Sequence, residues 1–67
     1  MSDLVSIGKK ITAAREAAGL SQKDIADRIG SAQCLISEYE RGERSMSVVR
    51  LLEIAKVLGV EATELVE

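Results

Sequence analysis

Four glycines divide this chain, and each falls where a helical pattern runs out: Gly19, Gly30, Gly42 and Gly59. Proline is absent from the 67 residues, so glycine supplies the punctuation. A helix that ends in a left-handed residue favours glycine there, because a Cβ makes that conformation costly. Between these stops only short helices fit, and no period-2 alternation is long enough for a sheet. The expected fold class is all-α, a compact five-helix domain joined by short loops.

The apolar spacing gives each helix a face. Leu4, Ile7, Ile11, Ala14 and Ala18 step by three and four, which predicts a first helix over about Leu4–Ala18, capped by Ser2 or Asp3. Gly8 lies inside it and weakens it by about 1 kcal/mol relative to alanine. Ser21, with Asp24 three residues on, imitates a capping box and starts a second helix over about Gln22–Ile29. Its core residues are Ile25, Ala26 and Ile29. A third helix is expected over about Ala32–Arg41, capped by Ser31, with Ile36 and Tyr39 inward. The fourth runs over about Val48–Leu58, capped by Ser47, with Val48, Leu51, Leu52, Ala55 and Leu58 as its buried stripe. A last turn, Ala62–Val66, points Leu65 inward.

Composition narrows the function. Hydrophobic residues make up 46% of the chain and Tyr39 is the sole aromatic, so the core must be aliphatic. No apolar run approaches the roughly 18–20 residues that span a bilayer, and no secretory signal is visible. One cysteine, Cys34, and no histidine leave neither a disulfide framework nor a structural zinc site, and fit a reducing cytoplasm. Neither a cofactor nor a small-molecule ligand is expected. Ser37 and Cys34 lack a base partner and there is no Gly-rich phosphate loop, so an enzyme is not expected. Small size makes a homodimer attractive. The apolar edge expected to form it is Leu58, Val60, Leu65 and Val66.

Within an expected single domain over residues 1–67, the stretch Ser21–Gly42 reads as two short helices set at a sharp angle by a turn containing Gly30. Such a unit can place its second helix in the major groove of double-stranded DNA. The charge balance argues the other way: 9 basic against 11 acidic residues give −2, whereas a simple nucleic-acid binder is usually basic. Phosphate contacts would then come from a local patch and from helix N-termini.

The motifs Ile7-Gly8-x-x-Ile11, Arg15, Gly19-Leu20-Ser21-Gln22, Ile25-Ala26, Ile29-Gly30, Ile36-Ser37, Glu40-Arg41-Gly42, Leu51, Ala55 and Leu58-Gly59-Val60 stand in one register. In that register the chain resembles the phage-repressor and Cro-like helix-turn-helix family, often called XRE. Its compact form is similar to restriction–modification controller proteins. Three positions depart from the pattern: Ser31 at a turn site more often apolar, Met46 where proline is frequent, and Glu61 where serine or threonine is typical.

The resemblance implies roles. Gln33, Cys34, Leu35, Ser37 and Glu38 would face base edges, Gln33 by bonding adenine or a phosphate and Glu38 by accepting from cytosine. Gln22, Lys23, Arg41, Arg44 and Ser45 would meet phosphates. Arg15 and Glu40 would form a structural ion pair. Leu35 either touches a thymine methyl or packs back onto its own domain. Cys34 is either a redox-sensitive thiol on the groove side or a small apolar residue. The function implied is a sequence-specific transcriptional regulator, a homodimer on a palindromic operator, controlled through its own concentration. A toxin–antitoxin repressor fits less well, since no extra segment is left to wrap a toxin. The alternative is a helix-turn-helix-derived interaction module without DNA selectivity.

Overall fold

The structure, a computed structural model, describes residues 3–67. Its helices are α1 Leu4–Ala17, α2 Gln22–Ile29, α3 Gln33–Arg41, α4 Val48–Leu58 and α5 Ala62–Val66. The described residues contain no strand. Asp3 caps α1 by accepting from the Ser6 N–H at 2.8 Å; the alternative cap, Ser2, lies outside the described residues. Ser21 and Asp24 close a capping box on α2, with reciprocal bonds of 3.0 and 2.8 Å. Ser47 caps α4 by accepting from the Arg50 N–H at 3.1 Å.

All four punctuating glycines adopt positive φ, between 67° and 73°. After each, the next N–H reaches back five residues: Leu20 to Arg15, Ser31 to Ala26, Glu43 to Glu38 and Val60 to Ala55, at 2.8–3.1 Å. These bonds satisfy carbonyls the helix ends would otherwise leave open. They also explain a correction. Ser31 does not cap α3, because its backbone is committed to closing α2. Ala32 takes the N-cap position with no side-chain hydrogen bond, and the helix begins at Gln33.

Each helix sends one fully buried aliphatic side chain to a shared centre: Ile11, Ile25, Ile36, Ile54 and Leu65. Ala26, Tyr39, Ala55 and Leu58 complete the core. The expected stripe of α4 is corrected here. Val48 and Leu52 are 71% and 53% exposed, while Ile54 is sealed. The start of α4 is apolar on more than one side, and packing against α2 and α5 selects the Ile54–Ala55–Leu58 face. On α1, Leu4 and Ala18 are likewise exposed, and Ile11 is the residue driven fully inward.

Helices α1 and α3 come into close contact at a glycine of α1. A Cβ on Gly8 would lie 2.4 Å from the Glu40 carbonyl oxygen and 2.6 Å from that of Tyr39. One turn toward the N-terminus, Gly42 (φ +72°) sits against Val5, where a Cβ would come within 2.7 Å of the Val5 Cα. Backbone therefore meets backbone along this seam, and it allows no side chain between. Gly8→Ala sets two effects against each other. Helix propensity favours alanine by about 1 kcal/mol. The clash is with carbonyls that no rotamer change can move, and overpacking of this kind costs typically about 1–3 kcal/mol or more. The expected outcome is a net loss, read as a Tm lowered by roughly 5 °C or more in a thermal melt. An unchanged or raised Tm would show that the seam can open freely.

Candidate nucleic-acid interface

Helical geometry divides α3 into two faces. Ile36, buried completely, and Tyr39, 5% exposed, turn inward with Glu40 beside them. Cys34, Ser37, Glu38 and Arg41 occupy the opposite side, at spacings that bring them onto one surface, and Gln33 stands at the exposed start of the helix. Gln33, Cys34 and Arg41 are exposed, and Ser37 and Glu38 are half-exposed. With no side-chain cap at its start, the first turn of α3 leaves its leading N–H groups facing outward.

Glu40 holds this helix from behind. Its carboxylate accepts from Arg15 Nε at 2.7 Å and Arg15 Nη2 at 3.2 Å, from the Thr12 hydroxyl at 3.0 Å and from Gln22 Nε2 at 3.0 Å. Arg15 also donates to the Leu20 carbonyl at 2.9 Å, fixing the loop between α1 and α2. Three helices thus meet on one acid. The side chains of the pair are only 15% and 6% exposed. Burial pushes the Glu40 carboxyl up, but the hydrogen bonds from Arg15, Gln22 and Thr12 outweigh it and hold the group below its ordinary range. The Glu40 partner pushes the Arg15 guanidinium up against a smaller opposing effect of burial.

Arg15 and Glu40, the ion pair that the resemblance implies, lie together, and Thr12 and Gln22 join them as members of the same network that the sequence pattern does not reveal. Thr12 sits one turn before Arg15 on α1, a spacing that signals a shared face. The resemblance assigns the Gln22 side chain to phosphate, but its amide is turned onto Glu40 instead.

Two arginines stand beside the outer face, and each is paired with an acid. Arg44 Nε lies 2.6 Å from Glu38 Oε1, and Arg41 grips Glu43 at 3.0 Å while also bonding the Ser37 hydroxyl. Lys23 pairs with Asp27 one turn along α2 at 2.9 Å. Ser45 is exposed beside Arg44. Cys34 is an exposed free thiol.

Of the two readings of Leu35, the one that packs it back onto its own domain holds: it is half-buried against the core cluster, because it falls on the inner flank of α3. The expected dimer edge is corrected. Leu58 and Leu65, at 6% and 1% exposure, are spent on the domain's own core and offer nothing to a partner. Val60 and Val66 are half-buried. The exposed apolar side chains of α4 are Val48, Val49 and Leu52, at 71%, 68% and 53%.

Other chemistry finds little footing. Among the described residues no three or more of Cys, Asp and Glu converge where a metal ion would sit. No helix of the described residues is long and apolar enough to cross a membrane. An open groove between α2 and α4 is lined by Arg28, Ile29, Glu53, Lys56 and Val57, none of them on α3.

Comparison with known proteins converges on one family. A helix-turn-helix family model matches residues 11–65. An uncharacterised HTH-type transcriptional regulator of Sinorhizobium fredii is 38% identical over 60 residues, covering 90% of this chain and 78% of that protein. The restriction–modification controller protein C.AhdI of Aeromonas hydrophila superposes with a TM-score of 0.88 at 37% identity, over 92% of this chain and 94% of the other. SinR, a regulator of biofilm formation solved in complex with DNA, matches with a TM-score of 0.84 at 29% identity, over 91% of this chain and 98% of the other.

The Glu40 network makes a pH-dependent prediction. Glu40→Gln leaves Arg15 without its charge partner and should cost about 2–3 kcal/mol near neutral pH. A depressed folded-state pKa means the carboxylate contributes fully above the ordinary glutamate range and loses that contribution as pH falls through the depressed value. Chemical denaturation across an acid titration should therefore show the two proteins converging as pH falls. A difference that stays constant with pH would remove the carboxylate as its source.

Proposed function

The chain belongs to the helix-turn-helix family of transcriptional regulators of the phage-repressor, XRE type, and from that premise we propose that it reads DNA sequence as a homodimer on a palindromic operator. Helix α3 enters the major groove, and Gln33, Cys34, Ser37 and Glu38 face the base edges. Gln33 carries the donor–acceptor pair that suits adenine, and Cys34 offers a small apolar surface beside it. Lys23, Arg41, Arg44, Ser45 and the backbone N–H groups at the start of α2, around Gln22, meet the flanking phosphates. The observation that carries this reading is the two-faced α3: its outer side stands at the surface while Ile36, Tyr39 and Glu40 lock it from behind.

A second copy of the chain fits the exposed apolar start of α4, where Val48, Val49 and Leu52 lie together. Two-fold pairing there gives half-sites about one turn, roughly 10 bp, apart. A dimer equilibrium of this kind makes occupancy of the operator follow protein concentration. That suits an autoregulator of the controller or Cro-like kind. C.AhdI, the restriction–modification controller that superposes on this chain, supports this reading, and the DNA complex of SinR supports duplex as the partner.

Selection from a randomised duplex library should return a sequence with dyad symmetry. Affinity for it should fall steeply with salt. Gln33→Ala should relax selectivity at one position per half-site at a cost of about 1–3 kcal/mol, whereas Arg44→Ala should weaken binding to the selected duplex without changing its consensus. Val49→Glu, at an exposed position, should leave the fold intact and shift sedimentation toward the monomer. A folded dimer that enriches no sequence would instead point to an interaction module that has lost DNA selectivity.

A further inference from the structure

Both arginines beside the outer face of α3 are occupied by acids of their own segment. Glu38 holds Arg44 at 2.6 Å, and Glu43 holds Arg41 at 3.0 Å. Arg41, Glu43 and Arg44 have side chains 53–55% exposed and Glu38 30%. All four can therefore reach solvent or a ligand. Glu40, the third acid of this stretch, is neutralised from behind by Arg15. The outer face thus presents two cations and two anions, each cation already matched.

A free arginine that meets a phosphate displaces a condensed counterion into solution. This release gives DNA binding its steep salt dependence, with log K falling by about 0.9 per log unit of salt for each phosphate neutralised. An arginine already held by a carboxylate must exchange partners instead. The carboxylate stays on the chain, near the phosphates, and must either be repelled or recruit a cation from solution. The uptake cancels the release, so such a contact adds little affinity for arbitrary duplex. Where α3 seats fully in a groove, base contacts offset the exchange, and arbitrary duplex lacks them.

We propose that Glu38 and Glu43 are tethered counterions for Arg44 and Arg41, suppressing attachment to arbitrary duplex and so setting how sharply the protein discriminates its site. This rests on the DNA-reading function proposed above. It makes Glu38 a positioning residue that acts through Arg44, rather than a reader of cytosine.

The test is fluorescence anisotropy of the full chain on two labelled duplexes, the selected sequence and a random one, across a salt series. The proteins compared are the wild type, Glu38→Gln, Glu43→Gln and Glu38→Gln/Arg44→Gln, each checked for helical content and Tm. Exposed pairs of this kind resist release by a factor of about 1.4–5. Glu38→Gln should therefore bind random duplex at least about 2–5 times more tightly, with a salt slope steeper by about 0.9. The selected duplex should gain less, so discrimination falls, and adding Arg44→Gln should abolish the gain. Glu43→Gln, at the exposed end of the helix, should change both quantities in the same direction.

Unchanged random-duplex affinity and salt slope in both single variants would overturn the proposal while the wild type still selects its site. A Glu38→Gln variant that weakens only the selected duplex, and changes one base pair of its consensus, would overturn it in favour of direct reading. A folded wild type that binds no duplex selectively would overturn the DNA-reading function itself, and this inference with it.

Discussion

The Glu40 carboxylate is the point on which the orientation of α3 depends. An apolar contact between helices lets one slide or roll on the other at small cost. Four directed bonds onto one acid, from Thr12 and Arg15 on α1 and Gln22 on α2, do not. The network works because α1 and α3 come close enough for backbone to touch backbone at Gly8. A larger residue there would push α1 away and lengthen every bond in the set. A buried ion pair adds little net stability over a well-packed apolar pair, whereas breaking one partner is costly. The set is best understood as fixing geometry: it turns the inner face of α3 to the core and leaves the outer face at the surface.

The aliphatic core needs that help. It is small, and four of its five fully buried side chains are isoleucines, one from each of α1 to α4, with Leu65 from α5. Isoleucine is stiff at χ1, so ordering it inside the domain sacrifices less side-chain freedom than a longer chain would. Each such side chain contributes about 1.5–3 kcal/mol by burial. One per helix means that no helix can leave without emptying its share of the centre. The cost of this economy is that the sides of the bundle stay exposed, as Val48, Val49 and Leu52 do.

Much of this was legible in the residues, and the failures have physical causes. Glycine stops and serine caps act locally, within one turn, so α2, α4 and α5 were bounded correctly. Ser31 misled because two helix ends compete for it: the closing bond to Ala26 claims its backbone before its side chain can serve α3. On α4 the spacing of 48, 51, 52, 55 and 58 is as helical as that of 51, 54, 55 and 58. Only the positions of α2 and α5 choose between them, and those are tertiary facts. Gly8 read as a weak point in α1 because propensity is a property of one helix, while its use lies in the neighbour that touches it. At the site, the resemblance named both Arg15 and Glu40 and they meet. Thr12 carries no assignment and Gln22 is assigned to phosphate, because a neutral hydroxyl and a neutral amide give no charge complementarity that would point to their shared partner, Glu40.

The net charge of −2 becomes coherent once the acids of α2, α3 and the turn after α3 are placed. Glu40 is structural, Asp24 belongs to a cap, Asp27 sits with Lys23, and Glu38 and Glu43 sit with the arginines of the outer face. Long-range attraction to a polyanion depends on the summed field and is weak here. Short-range contact depends on single guanidinium groups, whose forks match phosphate oxygens in a way a carboxylate can only hold in reserve. What limits a sequence reader is competition from the very large number of wrong sites, so its useful quantity is the ratio of right to wrong affinity. A strongly basic surface raises both terms together. A surface whose arginines are matched internally raises only the term in which base contacts accompany the exchange, and it does so without enlarging a domain that has little core to spare.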